Sequence, residues 1–272
     1  MTQPHLIALD LDGTLLTDEK KISPRTKTVI QAAKEQGHQV VIATGRPFRA
    51  SIPYYKEMNL DSPIVNFNGA YVHHPLDKGW GVYHTPLDLN TAHTIIDAAN
   101  SFQVRNILAE VMDDVYLHRN DDRIKEIISM GNPKITTGNL LEFLTHDPTS
   151  LLIHPADHHI DELRNHLNDA HANVIEHRKW GAPWNVIEIV KSGLNKATGL
   201  ERVAKHYDIP RERIIAFGDE DNDFEMIEYA GHGIAMGNAI DQLKSLANHV
   251  TTTNNEDGIA VYLEELLGIK TV

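Results

Sequence analysis

"HLIALDLDGTLLTDEK", residues His5–Lys20, decides how this chain is read. It opens as an apolar strand, expected over residues 5–12, and ends in two acids, Asp10 and Asp12, with Gly13 and Thr14 at once behind them. Side chains of a strand alternate, so Asp10 and Asp12 are expected on one side. Two bare carboxylates that close repel each other. A divalent cation offsets that repulsion, and a site offering oxygen alone suits magnesium. Gly13 permits a tight turn and close backbone approach. Thr14 is placed to cap the turn or to donate to an anion.

The elements that follow give this strand its context. Ser23-Pro24 is a helix start, serine as cap and proline in the first turn, and "PRTKTVIQAAKEQG" places Val29, Ile30 and Ala33 on one apolar side before Gly37 stops it. "HQVVIATGR" reads as a strand, Pro47–Met58 as a helix that Pro53 bends or divides, and "PIVNFNGA" as a third strand. The β-α-β-α-β order predicts an α/β fold, a mostly parallel sheet with helices on both faces. After residue 82 the rhythm changes to short strands with a few helices, predicting an inserted α+β domain with a mainly antiparallel sheet over 83–184. From Trp184 the first rhythm returns with "WNVIEIV", "NKATGLERVAKHY" and "RERIIAFGDE", so the core is expected over 1–82 and 185–272.

Composition narrows the function. The chain has 272 residues, 25 basic and 38 acidic, for a net charge of −13. Such a field disfavours nucleic acid and anionic membranes, although a local cation reverses it inside a pocket. Cysteine is absent, which removes disulfides, thiolate catalysis and cysteine-ligated metals. Residues Met1–Ala8 show no signal-type pattern, and no run reaches transmembrane length. A cytoplasmic protein is expected.

Open α/β sheets bind ligands beyond the carboxyl ends of their strands. Asp10 and Asp12 occupy that end of the first strand, Thr44 of the second, Asn68 and Gly69 of the third; Asp219 ends a late strand with Asp223 four residues on, and Lys196 opens a helix. Each member alone has an ordinary reading: a surface turn, a strand-to-helix turn, a solvated lysine, an acidic loop. The ordered set suggests phosphoryl transfer, which needs in-line positioning and charge compensation. Asp10 is placed as nucleophile, giving an aspartyl phosphate. Asp12 is placed as the acid that protonates the departing alcohol and the base that activates water. Thr44 would donate to a phosphoryl oxygen, and Lys196 would neutralise charge in the transition state. Arg46 lies beside Thr44 and is a candidate contact for the substrate, as well as for a structural ion pair.

"DLDGTLL", "ATGR", Lys196 and "GDEDND", with "NGA" at 68–70 and "MGNA" at 236–239, resemble the haloacid dehalogenase superfamily and, within it, the Cof-type phosphatases. The resemblance spans both core segments. It implies a three-layer α/β core with an inserted C2-type cap of C2B form, closing over the cleft and contacting the leaving group. It implies catalytic roles for Asp10, Asp12, Thr44 and Lys196, and a magnesium ion held at Asp10, Asp12, Asp219 and Asp223. Gly13, Thr14, Gly45, Arg46, Asn68, Gly69 and Asn222 fall where substrate is bound or the site is ordered. Ala197 departs from the glycine that often follows the motif lysine; alanine is a good helix former, so the change is small. In the insertion, Asp113, Asp114, His118, Arg119 and Trp180 are candidate cap contacts.

The resemblance implies a magnesium-dependent phosphatase for small phosphorylated metabolites such as sugar phosphates or phosphorylated cofactors. A C2B-capped hexose phosphomutase is the alternative, and a noncatalytic phosphometabolite sensor a weaker one, since binding alone needs no nucleophile.

Overall fold

A computed structural model describes residues 3–122, 128–171, 175–179 and 186–270 of the chain. It divides into two compact units, one of Met1–Arg46, Ser51–Tyr83 and Asn195–Val272, the other of Pro47–Ala50 and His84–Leu194.

The first unit is built on five parallel strands. β1 (Leu6–Leu9) is flanked by β2 (Gln39–Ile42) and β12 (Ile214–Gly218), and β13 (His232–Ala235) and β14 (His249–Val250) complete the order β14-β13-β12-β1-β2. All four residues of β1 are fully buried. That is why its sequence is continuously apolar instead of alternating: a parallel strand in mid-sheet has helices over both faces. β3 (Ile64–Asn66) extends the sheet beyond β2 through a parallel bridge between Ala43 and Val65, then pairs antiparallel with β4 (Tyr71–His73), beside which runs β5 (Val82–His84).

Helix Pro24–Glu35 starts as its sequence dictates. The Ser23 hydroxyl accepts from Thr26 N at 3.1 Å, and Val29, Ile30 and Ala33 are buried. It packs on helix Gly258–Leu267, while helix Lys196–His206 packs on helix Phe224–Tyr229, giving the three layers. Helix Phe48–Glu57 keeps Pro53 inside it, so the proline does not divide it.

The inserted unit holds a six-stranded sheet of order β10-β11-β9-β6-β7-β8: β6 (Asn106–Val111), β7 (Asp114–Leu117), β8 (Ile135–Thr137), β9 (Ser150–His154), β10 (Ile175–Lys179) and β11 (Ile187–Lys191). Its pairings are antiparallel except β7 with β8. Ile95, Ile96 and Ala99 of helix Leu89–Ser101 and Leu163 and Leu167 of helix Ile160–His171 form a core with Ile107, Ile153 and Ile187 of the sheet. Of the segment "GNLLEFLTH", only Leu140–Phe143 is helical.

One strand changes allegiance. "WNVIEIV" was expected to return the chain to the core sheet, yet β11 pairs with β9 and β10 inside the insertion. An apolar run reports that a strand is buried; it does not say which sheet buries it. The chain returns to the first unit only at Asn195.

Candidate functional site

The site is assembled where strands of the first unit end. β1 stops at Leu9, and Asp10 is the first residue beyond it, 5% exposed. β12 delivers Asp219 in the same way. A short 3-10 turn, Asp221–Asp223, then folds back, and Asp223 Oδ2 accepts from the backbone N–H groups of Asp219 (2.9 Å) and Glu220 (3.2 Å). This fixes one face of the Asp223 carboxylate and leaves Oδ1 for its neighbours. Gly218 is required beneath it, since a Cβ there would lie 2.4 Å from Asp223 Cγ.

Lys196 joins the acids. Asn195 caps its helix by accepting from Thr198 N at 3.0 Å, which aims the first helical side chain inward. The buried ammonium donates to Asp10 Oδ1 and Asp223 Oδ1, both at 2.7 Å. Thr14 Oγ1 donates to Asp219 Oδ1 at 2.7 Å, so its hydroxyl orients an acid instead of capping the turn. Gly13 (φ +75°) lets the backbone pass close by: a Cβ at residue 13 would fall 2.1 Å from Asp219 Oδ2.

Asp10, Asp219 and Asp223 thus bring carboxylate oxygens within 4.8 Å of one another. Three carboxylates face one ammonium, out of reach of most water. Burial raises Asp10 well above the ordinary carboxylate range, by more than the Lys196 ammonium lowers it. Burial, joined by the charge on Asp223 and opposed by the Thr14 hydroxyl, pushes Asp219 up to about 7. Lys196 is held above its usual value, because the attraction of Asp10 and Asp223 outweighs burial. A surplus of buried anionic oxygen is what a hard divalent cation neutralises, so the residues fit magnesium.

Asp12 was expected in this set. Among the described residues the cluster is Asp10, Asp219 and Asp223, and the Asp12 carboxylate is turned elsewhere. Arg46 holds it with two bonds of 2.6 Å, and Lys20 adds a third at 2.8 Å. Burial favours its neutral form, but these cations prevail and bring it down to about 2. The reason lies in the strand, which ends at Leu9. Beyond it the chain turns, and two-residue alternation no longer applies. Lys20 went unnoticed in the sequence. Its left-handed backbone (φ 59°) closes a turn with Thr17, and only nearness in sequence signals it.

The remaining candidates make contacts of their own. Thr44 is 1% exposed; its N–H donates to Val65 O at 2.9 Å, and its hydroxyl accepts from Arg46 N at 3.1 Å. Asn222 Nδ2 donates to Asn68 Oδ1 at 3.1 Å. A Cβ on Gly45 would meet that Asn68 amide at 3.2 Å, and one on Gly69 would lie 2.3 Å from Asn195 O. Asn238, in the "MGNA" stretch, donates to Gly13 O at 2.8 Å and steadies the first loop. In the insertion, Asp113 accepts from Arg49 N at 2.9 Å and Asp114 begins β7. The His118 N–H donates to Ile107 O, and the Arg119 carbonyl accepts from Asn106 Nδ2. Trp180 lies outside the described residues.

Comparison with known proteins agrees with this geometry. Residues 7–263 match the family model of the haloacid dehalogenase-like hydrolases. The 5-amino-6-(5-phospho-D-ribitylamino)uracil phosphatase YitU of Bacillus subtilis is 54% identical over 268 residues, covering 98% of this chain and 99% of its own. The pyridoxal phosphate phosphatase YbhA of Escherichia coli is 30% identical, covering 95% and 97%. Among solved structures, a haloacid dehalogenase-like hydrolase from Bacteroides thetaiotaomicron superposes with a TM-score of 0.84 at 27% identity, covering 97% of this chain and all (100%) of that one. A protein from Thermotoga maritima gives 0.83 at 28% identity, covering 99% of each.

Proposed function

The chain belongs to the haloacid dehalogenase-like hydrolase family and is a phosphomonoester hydrolase of it, and we propose that it hydrolyses 5-amino-6-(5-phospho-D-ribitylamino)uracil in a magnesium-dependent reaction through an aspartyl phosphate on Asp10. The observation that carries the chemistry is the buried Lys196 ammonium, 2.7 Å from both Asp10 and Asp223. It holds the nucleophile's carboxylate in one orientation, and Asp219 and Asp223 complete an oxygen set beside it. The substrate's identity rests on the relative of 54% identity over nearly the whole chain.

Magnesium, held by Asp10, Asp219 and Asp223, would neutralise the incoming phosphate and suppress its repulsion by the nucleophile. The steps belong to the chain's own groups. An Asp10 oxygen attacks phosphorus as the ester P–O bond breaks, and the departing alkoxide takes a proton from Asp12. Water then attacks the same phosphorus, losing a proton to Asp12, and the acyl–phosphate P–O bond breaks to release phosphate and restore Asp10. The Arg46 and Lys20 contacts hold Asp12 ionised, the form the second step requires of a base; to donate in the first step it must leave these cations and take up a proton from water, which it then passes to the leaving group. Lys196 supplies positive charge where negative charge accumulates, and the Thr44 hydroxyl donates to a phosphoryl oxygen.

Phosphate release is the test. The purified protein with MgCl2 is offered a panel containing 5-amino-6-(5-phospho-D-ribitylamino)uracil, pyridoxal 5'-phosphate and hexose phosphates, with Asp10→Asn as control. The expected result is highest kcat/KM for the ribitylaminouracil ester and no turnover in the variant. Preference for another ester overturns the substrate assignment, and isomerised hexose phosphate without free phosphate overturns hydrolysis.

A further inference from the structure

Three successive residues after β3 occupy the left-handed region: Phe67 (φ 49°), Asn68 (φ 51°) and Gly69 (φ 96°). Glycine does this freely, and asparagine tolerates it through its short polar side chain, but phenylalanine has no such relief. All three are buried. A buried segment keeps such a backbone only where its surroundings enforce it, and such segments gather at functional sites.

The enforcing contacts lead to three separate loops of the site. The Phe67 N–H donates to Arg46 O at 3.3 Å and the Asn68 N–H to Thr44 O at 3.1 Å, which ties down the loop after β2. Asn68 Oδ1 accepts from Asn222 Nδ2 at 3.1 Å, which ties down the turn between Asp219 and Asp223. Gly69 runs so close to Asn195 O that no side chain fits between them, and Asn195 is the residue whose cap aims Lys196. Asn68 itself is 2% exposed and its Oδ1 is engaged by Asn222, so that oxygen links the two loops.

We infer that the left-handed turn Phe67–Gly69 is a positioning element that sets the Thr44 loop, the Lys196 helix and the Asp219–Asp223 turn relative to one another, with Asn68 acting through Asn222 on the carboxylates. Where turnover is concerned, this rests on the phosphatase reading above. Asparagine meets both demands, a left-handed backbone and a short acceptor. Glycine would keep the backbone and lose the acceptor.

The test is a double-mutant cycle of Asn68→Gly and Asn222→Ala. Mg2+ affinity is measured by titration calorimetry with MgCl2, and kcat and KM on the ester preferred in the panel. Partners that orient metal-holding groups typically cost 10–100-fold when lost, so N68G is expected to weaken Mg2+ and lower kcat by about 10-fold. KM should stay within about twofold, since Asn68 acts through another residue and not on the substrate. N222A should reproduce the loss, and the double variant should be no worse than N222A. If N68G does not fold, N222A alone must show the weakened Mg2+ binding. If the wild type releases no phosphate, the phosphatase reading falls and calorimetry alone decides the positioning role. Wild-type Mg2+ affinity retained in N68G or N222A, a full further loss in the double variant, or no Mg2+ binding by the wild type overturns the inference.

Discussion

Lys196 Nζ lies 2.7 Å from Asp10 Oδ1, and the lysine has no exposed surface. Its second bond, to Asp223, links the acid at the end of β1, the proposed nucleophile, to a loop carboxylate through one ammonium. Replacing it by methionine keeps the volume and removes the charge. Breaking one partner of a buried pair typically costs about 3–5 kcal/mol, because the other charge is left uncompensated. Lys196→Met is therefore expected to lose that much stability in denaturant titration without metal, and MgCl2 should recover part of it. Activity should fall by about 10²–10³-fold, as when one preorganised electrostatic group is removed.

Gly13 gives a steric prediction. A Cβ there would stand 2.1 Å from Asp219 Oδ2, and the backbone is already left-handed. Gly13→Ala must therefore push Asp219 off its bond with Thr14. The expected outcome is Mg2+ affinity reduced by about 10–100-fold in calorimetry, with phosphate release falling alongside it. Retention of both would mean that Asp219 is not held where this geometry requires it.

These same residues differ in how openly the sequence displays them. Residues 6–9, four apolar positions fully buried in mid-sheet, are legible because a parallel strand with both faces covered has one simple signature. Asp10 and Asp219 are legible because each follows a strand in an open α/β sheet, and Asp223 because it lies four residues on, where a turn folds back. Asp12 misled, since alternation was extended past a strand that stops at Leu9. Ile187–Lys191 misled because burial does not name its sheet. The Phe67–Gly69 turn was invisible as a conformation: nothing in "FNG" says that phenylalanine will be left-handed, because surrounding contacts impose it.

A histidine group at the opposite end of the sheet predicts a pH effect on stability. His5 precedes β1, His38 precedes β2 and His232 begins β13; the His5 and His38 rings lie 5.1 Å apart, and His5 and His232 6.4 Å. Burial lowers all three below the ordinary imidazole value of 6.5, and for His5 the charges of His38 and His232 add to it. The unfolded chain therefore takes up protons first as pH falls, and the folded state loses stability below about pH 7 until the folded histidines also titrate. His38 Nδ1 accepts the His5 N–H at 2.9 Å and must be unprotonated to do so. His38→Asn keeps an acceptor there and cannot titrate. Between pH 7.5 and 5.5 the wild type should lose more Tm than the variant, by a few degrees, since the site is partly solvated and screened. Comparing the two proteins cancels the opposite contribution of Asp219, whose raised value makes the folded state bind protons more readily. Equal slopes would remove His38 from the account.

Divalent metal should stabilise the folded chain in proportion to the charge it relieves. Asp10, Asp219 and Asp223 are all buried, and their mutual repulsion is offset in the protein by Lys196 alone among the described cations bonded to them. The unfolded chain holds no such set, so a bound cation stabilises by the logarithm of its concentration over its Kd, about 2.7 kcal/mol at 100 times Kd. Raising MgCl2 from zero is therefore expected to raise Tm with saturation, and EDTA to return it. Asp223→Asn should abolish most of the rise, because Asp223 also has its second oxygen fixed by two backbone N–H groups and contributes a rigid ligand direction that an amide replaces with a donor or a neutral oxygen. Asp12→Asn should leave the rise largely intact, since the Asp12 carboxylate is paired with Arg46 and Lys20 outside the cluster. A metal response lost equally in both variants would make the Asp12 carboxylate a metal ligand and overturn its separation from Asp10, Asp219 and Asp223.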